Sequence, residues 1–126
     1  MTANNEIIVL VVDDEALLRL ATKSVLEDAG MTVVEASSSA DAIAILDELS
    51  NIDVLVTNIR MPGEMDGLTL AKIAKDRWPS VKVMVTSGDR ANSQSDLPAG
   101  VRFFAKPYES RQLMATIRGE VLGYPG

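Results

Sequence analysis

Five short apolar runs, at residues 7–12, 32–36, 53–58, 81–86 and 101–105, divide this chain, and most of the intervals between them carry helical spacing. Strands that alternate with helices imply a parallel sheet, because each crossover must lay a helix across one face. The runs are nearly continuous in Val, Ile and Leu rather than alternating, which fits strands covered on both sides. A chain of 126 residues suits one domain with one core. The expected fold is therefore α/β: five parallel strands, doubly wound, with helices on both faces.

The helical intervals can be read individually. Residues 15–29 place Leu17, Ala21 and Val25, with Leu18 beside them, on an inward face, and Gly30 ends the segment. In "SSSADAIAILDEL", Ser38 lies three residues before Asp41 as a loose capping box, followed by Ala42, Ile45, Leu46 and Leu49 on one face. "LTLAKIAKDRW" carries Leu70, Ile73, Ala74 and Arg77 and stops at Pro79, with Trp78 packing at the helix end. Residues 109–122 turn Leu113, Ile117 and Val121 inward. The interval 87–100, "SGDRANSQSDLPAG", is polar and poor in helix formers, so a short, irregular or mobile fourth helix is expected there. Gly63, Gly67 and Gly88 read as loop geometry.

Composition removes several functions. No apolar run is long enough to cross a bilayer and no basic n-region precedes residues 7–12, which points to a cytoplasmic protein without membrane association. Without cysteine there is no disulfide or thiolate chemistry, and without histidine the commonest general base and metal ligand is missing. A net charge of -6 with scattered Lys and Arg argues against nucleic acid as a partner.

In an open α/β sheet, ligands bind at the carboxyl ends of the strands. Those ends carry Asp13 and Asp14, Asn58, Thr86 and Lys106. An acidic pair suits Mg²⁺, which keeps several waters and takes one or two protein carboxylates. A lysine and a hydroxyl opposite would hold the other oxygens of a phosphoryl group. Singly, each has a blander reading: the aspartates as turn and N-cap, Thr86 as an ordinary strand residue, Lys106 as a solvated charge. Their joint appearance at successive strand ends favours the site.

The set "VVDDE", "VTNIRMPGEMDGL", "VMVTSG" and "FFAKPY" resembles the CheY-like receiver domains of two-component response regulators over almost the whole chain. The resemblance implies a flavodoxin-like strand order 2-1-3-4-5. It implies phosphoryl transfer from a phosphohistidine on a sensor histidine kinase or histidine phosphotransfer protein to the residue at position 58, with Mg²⁺ bound. By position, Asp14 would be a direct Mg²⁺ ligand and Asp13 would act mainly through water. The position-58 side chain and the Arg60 backbone carbonyl would complete the metal set. Thr86 and Lys106 would hold phosphoryl oxygens, Phe103 would be the aromatic switch paired with Thr86, and the Lys106–Pro107 bond would be cis. Phe103 also reads as plain core.

Position 58 departs from the family, whose acceptor is aspartate. An amide nitrogen is not nucleophilic, so no acyl phosphate can form on Asn58. The cation site is weakened too: two unit charges about 4 Å apart interact by roughly 4 kcal/mol at an effective dielectric of 20, an upper bound for a wet cleft. Asn58 is either an engineered block or the mark of a natural receiver that signals without phosphorylation; the retention of every other pocket residue favours the block. No enzyme activity is expected. A Mg²⁺ phosphatase would want a second carboxylate two positions after its nucleophile, whereas "DDEAL" offers Ala16 and Leu17 beyond the pair. A flavin protein would want a Ser, Thr and Gly loop where "DDEALL" stands. The chain is expected to be a stand-alone receiver without an output domain, signalling by contact with a downstream protein or as a homodimer. The contact face would comprise the fourth helix, fifth strand and fifth helix, with residues 87–100 as the candidate for partner selectivity.

Overall fold

The computed structural model describes residues 6–61, 63, 65–88, 97–106 and 109–123. Its elements follow the alternation of the sequence: β1 (Ile8–Val12), α1 (Ala16–Asp28), β2 (Thr32–Ala36), α2 (Ser39–Glu48), β3 (Val54–Asn58), α3 (Gly67–Arg77), β4 (Lys82–Ser87), β5 (Arg102–Ala105) and α4 (Ser110–Leu122). The strands form one five-stranded sheet in the order β2-β1-β3-β4-β5, every pairing parallel. The chain reverses its direction of winding between β1 and β3, which makes their carboxyl ends the switch point of the sheet. The fourth helix expected within 87–100 and the Lys106–Pro107 bond fall largely or partly outside the described residues. No helix among the described residues is long and apolar enough to cross a membrane.

Side chains alternate across each strand and divide the core in two. Leu10, Val12, Leu55, Val83 and Val85 point to one face and pack under Ala42 and Leu46 of α2 and Leu70, Ala71 and Ala74 of α3. Val9, Val11, Val54, Val56 and Met84 point to the other, under Leu26 of α1 and Leu113 and Ile117 of α4. All five residues of β3 are buried, as the centre of a doubly covered sheet requires. Polar links fasten the layers: the Arg118 guanidinium donates to the Ala29 carbonyl at 2.9 Å, and Arg102 of β5 pairs with Glu120 of α4 at 3.0 Å.

Caps set the helix starts. Ser38 accepts from the Asp41 backbone N–H at 3.1 Å, as its spacing suggests, and Asp66 does the same for Thr69 at 2.9 Å. At the end of α3 the Arg77 guanidinium lies 4.4 Å from the centre of the Trp78 ring and pairs with Asp47 at 2.7 Å, so Arg77 is exposed and does not line the inward stripe.

Two helical faces differ from the sequence expectation. In α1 the buried residues are Thr22 and Leu26, with Leu18 and Val25 half-buried, whereas Leu17 is 84% exposed and Ala21 is exposed. The true stripe lies one residue further along; because it includes a threonine, counting apolar residues favoured the wrong register. In α2, Leu49 is the C-cap and is largely exposed, beyond the last turn that packs. Leu26→Ala should therefore cost about 2–5 kcal/mol, whereas Leu17→Ala should stay within about 0.5 kcal/mol of the parent, both measured by urea unfolding. Equal losses at the two positions would refute this placement of α1.

Candidate functional site

Asp13 directly follows β1, Asn58 closes β3, Thr86 lies one residue before the end of β4, and Lys106 directly follows β5. Register brings the first three together. Val12 pairs with Thr57, so Asp13 and Asn58 emerge side by side, and Asn58 itself pairs with Thr86. Paired residues share a face, which sets the Asn58 amide and the Thr86 hydroxyl on the same side. Phe103 pairs with Val85 and Phe104 with Thr86. The Phe103 ring therefore starts on the face opposite the Thr86 hydroxyl and packs, half-buried, against the α2/α3 core.

Asp13 is nearly fully buried, with a donor on each carboxylate oxygen. Oδ1 accepts from the Glu15 backbone N–H at 2.9 Å and Oδ2 receives the Lys106 ammonium at 3.3 Å. The same ammonium lies 3.4 Å from Glu15 Oε1. With β1 and β5 separated by β3 and β4, the strand ends stand about 14 Å apart, three spacings of about 4.8 Å. The Lys106 side chain thus reaches across the ends of β4 and β3, where Thr86 and Asn58 lie. Asp14 is exposed at the mouth.

Asn58 is buried, and its Nδ2 donates to the Arg60 carbonyl at 2.7 Å. A carbonyl can only accept, so the nitrogen and not the oxygen of the amide must face it. The position-58 side chain and the Arg60 carbonyl are thus joined directly by a hydrogen bond. Among the described residues no three acidic, histidine or cysteine side chains gather that could hold a metal ion. A cation would lean on Asp13, Asp14, the Arg60 carbonyl and the position-58 oxygen, an all-oxygen set of the type Mg²⁺ takes.

Sequence reasoning missed three residues that build this site. Arg19 donates to the Asp13 carbonyl at 2.6 Å and to Glu35 Oε1 at 2.9 Å, tying α1, the end of β1 and β2 together. Glu15 supplies both the N–H and the carboxylate just described; its place directly after the acidic pair was the available signal. Gly67 is more than loop geometry. As the first residue of α3 it donates to the Ile59 carbonyl at 2.6 Å, and a Cβ there would lie 1.7 Å from the Asn58 carbonyl oxygen. Only glycine lets the helix start against the strand end that carries Asn58.

With the fold and the cleft placed, the class is a flavodoxin-like α/β protein with a charged site at the switch point of its sheet. The chain belongs to the response regulator receiver domain family, whose model matches residues 9–118. It is 36% identical over 113 residues to the response regulator receiver protein CpdR of Brucella abortus (strain 2308), covering 87% of this chain and 92% of that one. It is 35% identical over 114 residues to the sensor kinase CckA of the same organism, where the match spans 87% of this chain but 12% of the kinase. The crystal structure of a response regulator receiver protein from Sinorhizobium medicae WSM419 superposes with a TM-score of 0.84 at 34% identity, over 94% of this chain and 95% of that one. Several other relatives are also much longer; the chain spans 29% of an Archaeoglobus fulgidus protein-glutamate methylesterase/protein-glutamine glutaminase and 25% of the Escherichia coli (strain K12) transcriptional regulator NtrC.

Two outcomes test this geometry. Gly67→Ala should lose roughly 3 kcal/mol in urea unfolding, because the new methyl meets backbone and not a side chain that can move aside. The Arg19 guanidinium bonded to Glu35, with Lys23 beside it, holds that carboxyl below its ordinary 4.5. A carboxyl depressed in the folded state stabilises the fold above its unfolded pKa and loses that contribution as pH falls through the folded value. Stability should therefore drop on acidification below about 4.5, and Glu35→Gln should flatten part of that slope in urea titrations at stepped pH.

Proposed function

We propose that this chain is a cytoplasmic receiver module of a two-component phosphorelay in which Asn58, as an introduced block would, bars phosphoryl transfer at the acceptor position. The reading is carried by one observation: Asp13, Asn58, Thr86 and Lys106 lie at the carboxyl ends of four neighbouring strands, β1, β3, β4 and β5, in a chain of the receiver family. The donor would be a phosphohistidine on a sensor histidine kinase or histidine phosphotransfer protein.

In a chain with aspartate at 58, that carboxylate would attack phosphorus while the histidine nitrogen leaves. Thr86 would donate its hydroxyl proton to one phosphoryl oxygen and Lys106 would pair with another, neutralising charge where it gathers. Asp13, Asp14, the position-58 oxygen and the Arg60 carbonyl would hold Mg²⁺, which when bound supplies positive charge to the phosphoryl oxygens. With Asn58 the nucleophile is gone and the metal site is weaker, so the module acts by contact. Its contact face includes β5 and α4, toward a downstream protein or a second copy. A second reading, a natural receiver that works without phosphorylation, is favoured by the Asn58 amide having a partner of its own in the Arg60 carbonyl.

Incubation with Mg²⁺ and a small phosphodonor such as acetyl phosphate should add one phosphoryl group to Asn58→Asp and none to the parent, read by intact mass. Uptake by neither variant removes the phosphorelay role; turnover of the donor by both would indicate an enzyme.

A further inference from the structure

We infer that Asn58 and Lys106 close the pocket from within, their N–H donors satisfying the oxygens a cation would need, so that the turn after β3 holds one arrangement with or without Mg²⁺. The inference rests on the receiver reading of this site but concerns what the asparagine adds, not what it removes.

The Asn58 nitrogen and the Arg60 carbonyl oxygen are 2.7 Å apart, at the short end for an amide N–H bonded to oxygen. Aspartate in the same place would set oxygen against oxygen at that distance with no proton between them, an arrangement that needs a cation or a shift of the turn. Asparagine supplies the hydrogen instead. The donor side chain is buried, Asn58 being 7% exposed, so losing the bond would leave its N–H with few alternative partners. Across the pocket the Lys106 ammonium supplies positive charge to Asp13 Oδ2 and Glu15 Oε1, while Asp13 Oδ1 is taken by the Glu15 N–H. Of the prospective ligands, the Arg60 carbonyl and both oxygens of Asp13 thus already have donors from the chain, while Asp14 is exposed at the mouth.

An incoming Mg²⁺ would have to turn the Asn58 amide about its terminal bond, releasing the Arg60 carbonyl, and draw Asp13 away from Lys106. Loss of one negative charge alone would predict weakened binding with a mobile amide. Closure predicts weakened binding with the amide fixed.

The side-chain NH₂ of Asn58 reports on this directly. In the ¹⁵N-labelled chain its two proton signals can be assigned through the residue's own carbon atoms, so the assignment does not depend on any variant folding. They should be widely split and should exchange with water more slowly than those of exposed Asn51, and millimolar Mg²⁺ should leave them in place. In Asn58→Asp, Mg²⁺ should shift the backbone signals of residues 59–61 and bind at least roughly tenfold more tightly than to the parent. Signals that exchange as fast as those of Asn51, or that move saturably with Mg²⁺ in the parent, would overturn the closure. If Asn58→Asp takes no phosphoryl group while the Asn58 signals behave as described, the receiver reading fails and the closure stands. If Asn58→Asp is phosphorylated while the parent amide exchanges freely, the closure fails and the receiver reading stands.

Discussion

Parallel pairing on both flanks of β3 is the constraint from which the site hangs. Asn58 lies opposite Thr86 and beside Asp13 only because Val56 pairs with Val11 on one side and Met84 on the other. A slip of one residue would turn every side chain of β3 to the opposite face and send Asn58 to the wrong side of the sheet. The slip is prevented by burial of the whole strand, since Leu55 has its place in one core and Val54 and Val56 in the other. The start of α3 then seats Gly67 against the Asn58 carbonyl, and the strand end has no freedom left to wander.

Much of this architecture was legible in the residue pattern for physical reasons that can be named. Strands covered on both faces are apolar on both, so 54–56 stood out without any alternation, and polar residues at the run ends marked the cleft. Ser38 and Asp41 announced the start of α2. The register of α1 was not legible. Leu17, Leu18 and Leu20 put apolar groups on several sides of the helix, and the buried stripe runs through Thr22. Gly67 was hidden for a different reason. A glycine after Asp66 has the look of a turn, and nothing local reveals that the carbonyl of a residue nine positions earlier lies where its side chain would be. The same holds for Arg19, whose partners Asp13 and Glu35 come from two other elements.

The charges around the acidic pair balance within a small volume. Lys106 approaches Asp13 from the β5 side, while Arg19 grips its carbonyl from α1 and carries its remaining charge to Glu35, which also meets Lys23 at 3.3 Å. Two bases therefore stand on either side of Asp13, one at the carboxylate and one at the backbone. The first spans the cleft to reach both Asp13 and Glu15; the second ties α1 to the end of β1 and to β2. The end of β1 is thus held from both sides.

The backbone bond from Ile59 N–H to the Thr86 carbonyl, 2.8 Å long, governs how the protein ages. An asparagine loses its amide when the nitrogen of the following residue turns onto the side-chain carbonyl carbon and closes a five-membered imide. Here that nitrogen is locked into the continuation of the β3–β4 ladder, and the Asn58 side chain is drawn off toward Arg60. The chain should keep its asparagine through long storage, and no aspartate-bearing fraction should build up in an old preparation to imitate a slow gain of acceptor chemistry.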